Sequence, residues 1–133
     1  MIPPFDDLGY LPTGVHPATL EEFEARFGVR SEIRRVQMES VRWMVELARR
    51  AGVNRIVLNG SFVTDIMEPN DVDCVLLIGE DYPVDAVADA ELHSGVPFLE
   101  IALVPQRGFD HLVKWFFAAD RDGRPKGMVE VIL

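Results

Sequence analysis

The eight residues 71–78, DVDCVLLI, restrict the fold more than any other stretch of the chain. Side chains alternate along a strand, so Asp71, Asp73, Val75 and Leu77 fall on one face and Val72, Cys74, Leu76 and Ile78 on the other. Apolar groups on both faces require a central strand covered on each side, with two carboxylates left at its beginning. Such a strand cannot stand alone, and the flanking sequence supplies the layers that would cover it.

Upstream, residues 1–17 hold four prolines and two glycines among isolated apolar groups, which reads as an extended leader lying on the domain rather than a helix or central strand. Thr19 and Glu22 have the spacing of a capping box, and LEEFEARFG ends at Gly28, so a short helix is expected with Leu20, Phe23 and Phe27 inward. Ser31 can cap a longer helix whose stripe of Ile33, Val36, Val41, Met44, Leu47, Ala48 and Ala51 runs to Gly52. A strand is expected at 53–59, then a Gly-led turn, with a stop at Pro69 and Asn70 before the 71–78 strand. Pro83, the alanines and Val87 suggest a helix over 84–92, weakened by Asp85 and Asp89. VPFLEIALVP predicts a third strand in which Glu100 alternates with Leu99 and Ile101. A helix from Phe109, with Leu112, Val113 and Phe116 inward, the loop RDGRPKG and a last strand MVEVIL complete the pattern. The fold class is α/β, a mixed β-sheet packed with helices; strand order is not legible. Residues 1–30 form leader and short helix packed on the core, and 31–133 the domain proper.

At 133 residues the chain has the length of one domain, and 48% hydrophobic residues suffice for a core without staples. A formal charge of −9 makes direct nucleic-acid binding unfavourable at long range. The single Cys74 forbids an internal disulfide, and no long apolar run marks a membrane span, so a reduced cytoplasmic protein is expected. His16, His93 and His111 lack zinc-site spacing. Cys74 alternates onto the apolar face, as a core thiol would, and the aromatics Trp43, Trp115, Phe116 and Phe117 suit helix-sheet packing, with one aromatic near the open side able to hold a nucleobase.

The chemistry concentrates in 60–74, GSFVTDIMEPNDVDC. Gly60 lets backbone approach a phosphate, and Ser61 adds a hydroxyl and an N–H. Asp71 and Asp73 sit about 6.5–7 Å apart along one strand face and can converge on divalent ions. Two anions opening an apolar strand need cations or donors beside them. The alternative is that Asp71 caps the Pro69–Asn70 turn and Asp73 lies at a wet strand end. Glu100, the one interior acid of its strand, completes the cluster as third metal ligand or as base; the alternative is an edge-strand Glu paired with Arg107 or Arg55. Arg121, Arg124 and Lys126 either contact a triphosphate or form an exposed loop satisfying Asp120 and Asp122. That loop reaches Gly60 only if the last strand runs beside the 53–59 strand.

In its order of Gly-Ser, spacer and Asp-hydrophobic-Asp-hydrophobic, followed by LEI, the segment resembles the signature of the DNA polymerase beta-like nucleotidyltransferase superfamily. The resemblance covers roughly 33–104, and the whole chain looks like a small bacterial branch of that superfamily. It implies a minimal nucleotidyltransferase-like fold over 31–133 and transfer of a nucleoside monophosphate from a nucleoside triphosphate, ATP first, to a hydroxyl. Asp71, Asp73 and Glu100 would be catalytic and hold Mg²⁺ or Mn²⁺, and Gly60 and Ser61, with Arg124 and Lys126, would hold the triphosphate. Asn59 departs from the usual hydrophobic residue before the glycine, and Glu100 stands where an aspartate is common. No second helical domain is present to grip the acceptor. The resemblance therefore also implies a homodimer or an operon-encoded protein partner, as in toxin-antitoxin systems. The competing reading is a noncatalytic interaction or antitoxin-type regulatory protein.

Overall fold

A computed structural model describes residues 1–133 as five strands and four α-helices. The strands are β1 (Val15–Ala18), β2 (Arg55–Asn59), β3 (Val72–Leu77), β4 (Leu99–Val104) and β5 (Met128–Val131). The helices are α1 (Leu20–Phe27), α2 (Glu32–Ala51), α3 (Ala86–Ser94) and α4 (Gln106–His111), the last running into a π-helical turn at Leu112–Phe116. The strands form one mixed sheet in the order β1-β5-β2-β3-β4. β2 runs antiparallel to β3 and β5, while β3 pairs parallel with β4 and β1 parallel with β5. This is a mixed α/β fold with helices packed on a five-stranded sheet, and β3 is covered on both faces as its double-sided apolar pattern requires. No helix is long and apolar enough to cross a membrane.

The two faces are unequally covered. A core of 24 buried residues joins one face, through Ile56, Leu58, Cys74, Leu76 and Val129, to Phe23 and Phe27 of α1, Leu47 and Ala48 of α2 and Leu92 of α3. The other face holds six: Val57, Val75, Leu77 and Met128 under Phe109 and Val113. The smaller core leaves part of this second face open.

Local signals set most boundaries. Thr19 and Glu22 form the reciprocal capping box of α1, Ser31 Oγ accepts from Arg34 N to open α2, and Gly52 ends α2 in the left-handed conformation. Four expectations need correction. The end of the leader is a strand, β1, at the sheet edge beside β5. Asp85, which weakened the helical pattern, is the N-cap of α3, accepting from Val87 N and Ala88 N, and Val87 points to solvent. The last helix starts at Gln106, straight after Pro105, rather than at Phe109. At the start of α2 the buried positions are Arg34, Gln37 and Met38, with Val36 exposed.

That inversion has a cause. The Arg34 guanidinium, fully buried, donates six hydrogen bonds to five backbone carbonyls: Nε and Nη2 to Ile66 O, Nη1 to Phe27 O and Phe62 O, and Nη2 to Ser61 O and Thr64 O. Two neighbours extend the hold, Ser31 Oγ donating to Met67 O at 2.7 Å and Gln37 Nε2 to Pro69 O at 2.6 Å. The N-terminal turns of α2 thus fix the whole β2–β3 connection, most of whose bonded carbonyls lack a ladder partner. Arg34 has no carboxylate in ion-pair contact, and burial pulls its pKa down to about 10, which leaves it charged at neutral pH. Replacing it with Met keeps the apolar stem but orphans those carbonyls, so Arg34→Met should lower unfolding free energy by about 3–5 kcal/mol in urea denaturation. Arg34→Lys, with one point donor in place of a fork, should recover little of it. Parent-like midpoints for both would refute this role.

Candidate functional site

The site is built on one cross-strand row. Asn59 of β2 lies opposite Asp73 of β3, and Asp73 lies opposite Glu100 of β4. Directly opposed residues share a sheet face, and Asp71 returns to it two positions before Asp73. It is the open face, next to the Val57–Val75 pair of the smaller core. Exposure rises along the row from Asn59, at 0%, through the partly buried Asp73 to the exposed Glu100 on the edge strand. Cys74 points the other way, buried in the larger core, where burial and then the neighbouring aspartates push its thiol up.

Asp73 is disturbed by Asp71 and Glu100, and Asp71 by Glu100. Asp73 is raised to about 6, first by burial, then by the charge of Asp71 and by a hydrogen bond and charge from Glu100, with Lys126 opposing. Asp71 is raised by burial and then by the charge of and hydrogen bond to Glu100. Like charges crowded in this way favour a cation beside them, and Lys126 is the one that opposes the shift of Asp73. Neither aspartate caps the Pro69–Asn70 turn, which α2 holds instead. Arg55 is also committed elsewhere: its Nε and Nη2 donate to Glu130 at 2.9 and 2.6 Å, and Glu100 makes no ion pair. The donor set is hard oxygen, which suits Mg²⁺ or Mn²⁺. As they stand, no three or more His, Cys, Asp or Glu are spaced as a ready-made metal cage.

Gly60 follows β2 with φ +80°, and a Cβ there would collide with Asp73 Oδ2, so the glycine is what lets the turn pass against the carboxylate. Ser61 opens a single 3₁₀ turn, Ser61–Val63, and its hydroxyl makes no hydrogen bond. Because β5 does pair with β2, the loop after the π-helical turn reaches the row. A cavity of about 520 Å³ opens there, lined by Asp73, Glu100, Phe116, Phe117, Ala119, Asp120, Arg121 and Lys126. Gly60, Ser61 and Asp71 flank it without lining it. The basic loop divides: Lys126 and Arg121 face the cavity, whereas Arg124 lies 3.8 Å from Asp122 and its N–H donates to Asp120 Oδ1, as the exposed-loop alternative has it. Tyr10 Oη donates to Asp120 Oδ2 at 2.7 Å, tying the leader to this loop.

Phe117 packs half-buried against the smaller core as expected, but the other three aromatics do not. Trp115 is 76% and Phe116 66% exposed, and Trp43 is also exposed. Successive helical residues differ by about 100° in direction, so Trp115, Phe116 and Phe117 could never all have faced the sheet, and that was the signal to read. Phe116 and Phe117 meet edge to face at 4.9 Å on the cavity wall. Asn59 was legible only as a departure from a hydrophobic pattern, and nothing in the periodicity marked Arg34 as the anchor of the turn.

A mixed α/β sheet thus carries an acid row on its open face, walled by two phenylalanines and a basic loop. Residues 3–132 match the model of a family described as a family of unknown function, DUF6932, and the chain belongs to that family. No curated protein and no solved structure matches it significantly.

Asp73 is the acid of the row whose charge the fold tolerates least. Its folded value of about 6 lies above the ordinary 3.8, so the folded state holds the extra proton between those values and stability falls as pH rises through them. Asp73→Asn removes that loss. At about pH 7.5 the metal-free variant should be more stable than the parent by on the order of 1–2 kcal/mol after allowing for solvent screening, with the gain gone near pH 4. Scanning calorimetry at the two pH values checks it.

Proposed function

We propose that the chain is a Mg²⁺-dependent nucleotidyltransferase with Mn²⁺ as a substitute, moving a nucleoside monophosphate from a nucleoside triphosphate, ATP first, to a hydroxyl acceptor. The observation that carries this reading is the convergence of Asp71, Asp73 and Glu100 on adjacent strands beside the Gly60 turn. The order α2, β2, turn, β3, α3, β4 supports a nucleotidyltransferase-like fold, since it puts the acid pair and the third acid where the resembling signature has them. The bound metal would be held by Asp71, Asp73 and Glu100 and would neutralise charge on the phosphates and on the acceptor oxygen.

The chain's own groups divide the remaining work. Phe116 and Phe117 offer a face to the base. Lys126 and Arg121 bring positive charge to the phosphates, and the Gly60–Ser61 turn adds backbone and hydroxyl. The acceptor oxygen bonds to the α-phosphorus, the bond from that phosphorus to the bridging oxygen breaks, and pyrophosphate leaves with the electron pair. The hydroxyl proton passes to Glu100, the most exposed acid of the row. Nothing beyond this cavity is dedicated to a long acceptor, so a small molecule, a second copy or an operon-encoded partner completes the reaction.

The exposed Trp115 and Phe116 favour a second reading, a noncatalytic interaction or antitoxin-type protein in which these aromatics dock a partner. Incubation with Mg²⁺ or Mn²⁺ and each α-labelled nucleoside triphosphate, with and without neighbouring gene products, separates the two. Transfer of label that disappears in Asp73→Asn supports the enzyme; a stable complex formed equally by parent and D73N, with no labelled product, replaces it with the second reading. Phe116→Ala should raise the nucleotide Kd about tenfold, the value of one lost base stack, without shifting the melting temperature, because the ring is largely solvated. Calorimetric titration with a nonhydrolysable triphosphate measures the first and a thermal melt the second.

A further inference from the structure

Asn59 is the one residue of the row without a role so far, and its surroundings are anomalous. It is fully buried, yet both Oδ1 and Nδ2 lack a hydrogen-bond partner. Buried amides are paired in nearly all folded proteins because an unmatched one has lost its water and gained nothing. Its apolar neighbours on this sheet face are Val57, Val75 and Met128 of the smaller core, and the Arg55–Glu130 pair further along the face is satisfied within itself. The polar group across the ladder is Asp73, directly opposite. That carboxylate is at present turned over Gly60. An apolar side chain at 59 would satisfy the fold better, so the amide answers to an arrangement of Asp73 other than this one.

We infer that Asn59 is a positioning residue: its Nδ2 donates to Asp73 when a divalent cation occupies the acid cluster, fixing the carboxylate that holds the ion. The inference rests on the metal-dependent reading of the site. A cation between Asp71, Asp73 and Glu100 offsets their mutual repulsion and lets the Asp73 carboxylate turn from Gly60 toward Asn59, directly across the ladder. A carboxylate that binds an ion through one oxygen keeps lone pairs for a donor, and residues that hold a ligand in this way commonly set metal affinity. Asn59 supplies that donor from the buried side, while Lys126 stays on the cavity side.

The test uses the full chain without nucleotide. Mn²⁺ binding is titrated by electron paramagnetic resonance in the parent, Asn59→Leu and Asn59→Val, both of which remove the amide and suit a buried strand. Each should lose about 10–100-fold in Mn²⁺ affinity, with an apo melting temperature equal to or above that of the parent. In the parent, saturating Mg²⁺ should move the Asn59 side-chain amide proton resonances downfield, and the same signals, assigned by their loss in Asn59→Leu, should be the ones that move. A merely structural asparagine would change the melting temperature and leave Mn²⁺ affinity and the Mg²⁺ response alone. If whichever variant folds binds Mn²⁺ within about twofold of the parent, or if the amide resonances stay in place under saturating Mg²⁺, the positioning role is overturned while the metal site stands. A parent that binds no Mn²⁺ sinks the reading of the site itself and this inference with it.

Discussion

The Arg34 guanidinium is the interaction on which the rest of the structure hangs. The connection from β2 to β3 must leave the sheet, turn and re-enter within about a dozen residues, and in doing so it exposes a series of carbonyls that no ladder can satisfy. Six carbonyls between Ser61 and Pro69, together with that of Phe27, are met by one cation and two neutral side chains at the start of α2. A planar fork with five donors can serve several directions at once, which an ammonium cannot. The Phe62 ring beneath the guanidinium, 4.9 Å away, and the Phe23 ring stacked on Phe62 at 5.8 Å carry the same anchor into the core. The Gly60–Ser61 turn is therefore held from behind, by a helix, and its front is left for whatever the acid row binds.

The acid row is the counterpart of that anchor. One buried positive group is stabilised by many weak dipoles, whereas the acidic groups at the open end of the sheet are left with Lys126. Dipoles suit a charge that must stay put, since they come with the backbone. Mutual repulsion suits a charge that is meant to be met by something from outside. The protein's excess of acids makes the contrast sharper, for Lys126 and Arg121 stand beside the row in a chain of net charge −9.

Much of this was legible in the sequence, and the parts that were not share a physical reason. Local rules delivered what depends on neighbours along the chain: the Thr19 box, the Ser31 cap, the Gly52 stop and the two-sided burial of β3. The acid cluster followed as well, because Asp71 and Asp73 are bound by strand alternation and Glu100 by its place in an apolar strand. What failed depends on partners distant in the chain. Arg34 carries no mark in the local pattern, and only the carbonyls of Phe27 and 61–66 turn it inward. Val15–Ala18 is a strand solely because Met128–Val131 lies beside it. Arg124 and Lys126, two residues apart, could not be told apart by sequence, yet one goes to Asp122 and the other to the cavity.

The position of β5 has a consequence for how the molecule comes to exist. β1 touches the sheet only through β5, so residues 15–18 have no strand to join until 128–131 have paired with β2. The helices and β2, β3 and β4 close by local steps, while β1, made before all of them, is the last strand to find its place. During synthesis it waits beside a nearly finished domain with its edge unpaired, and the final four-residue strand both fills the gap and admits it. Assembly of the acid row thus precedes completion of the sheet, and the Tyr10 bond to Asp120 closes only when the two ends of the chain have met.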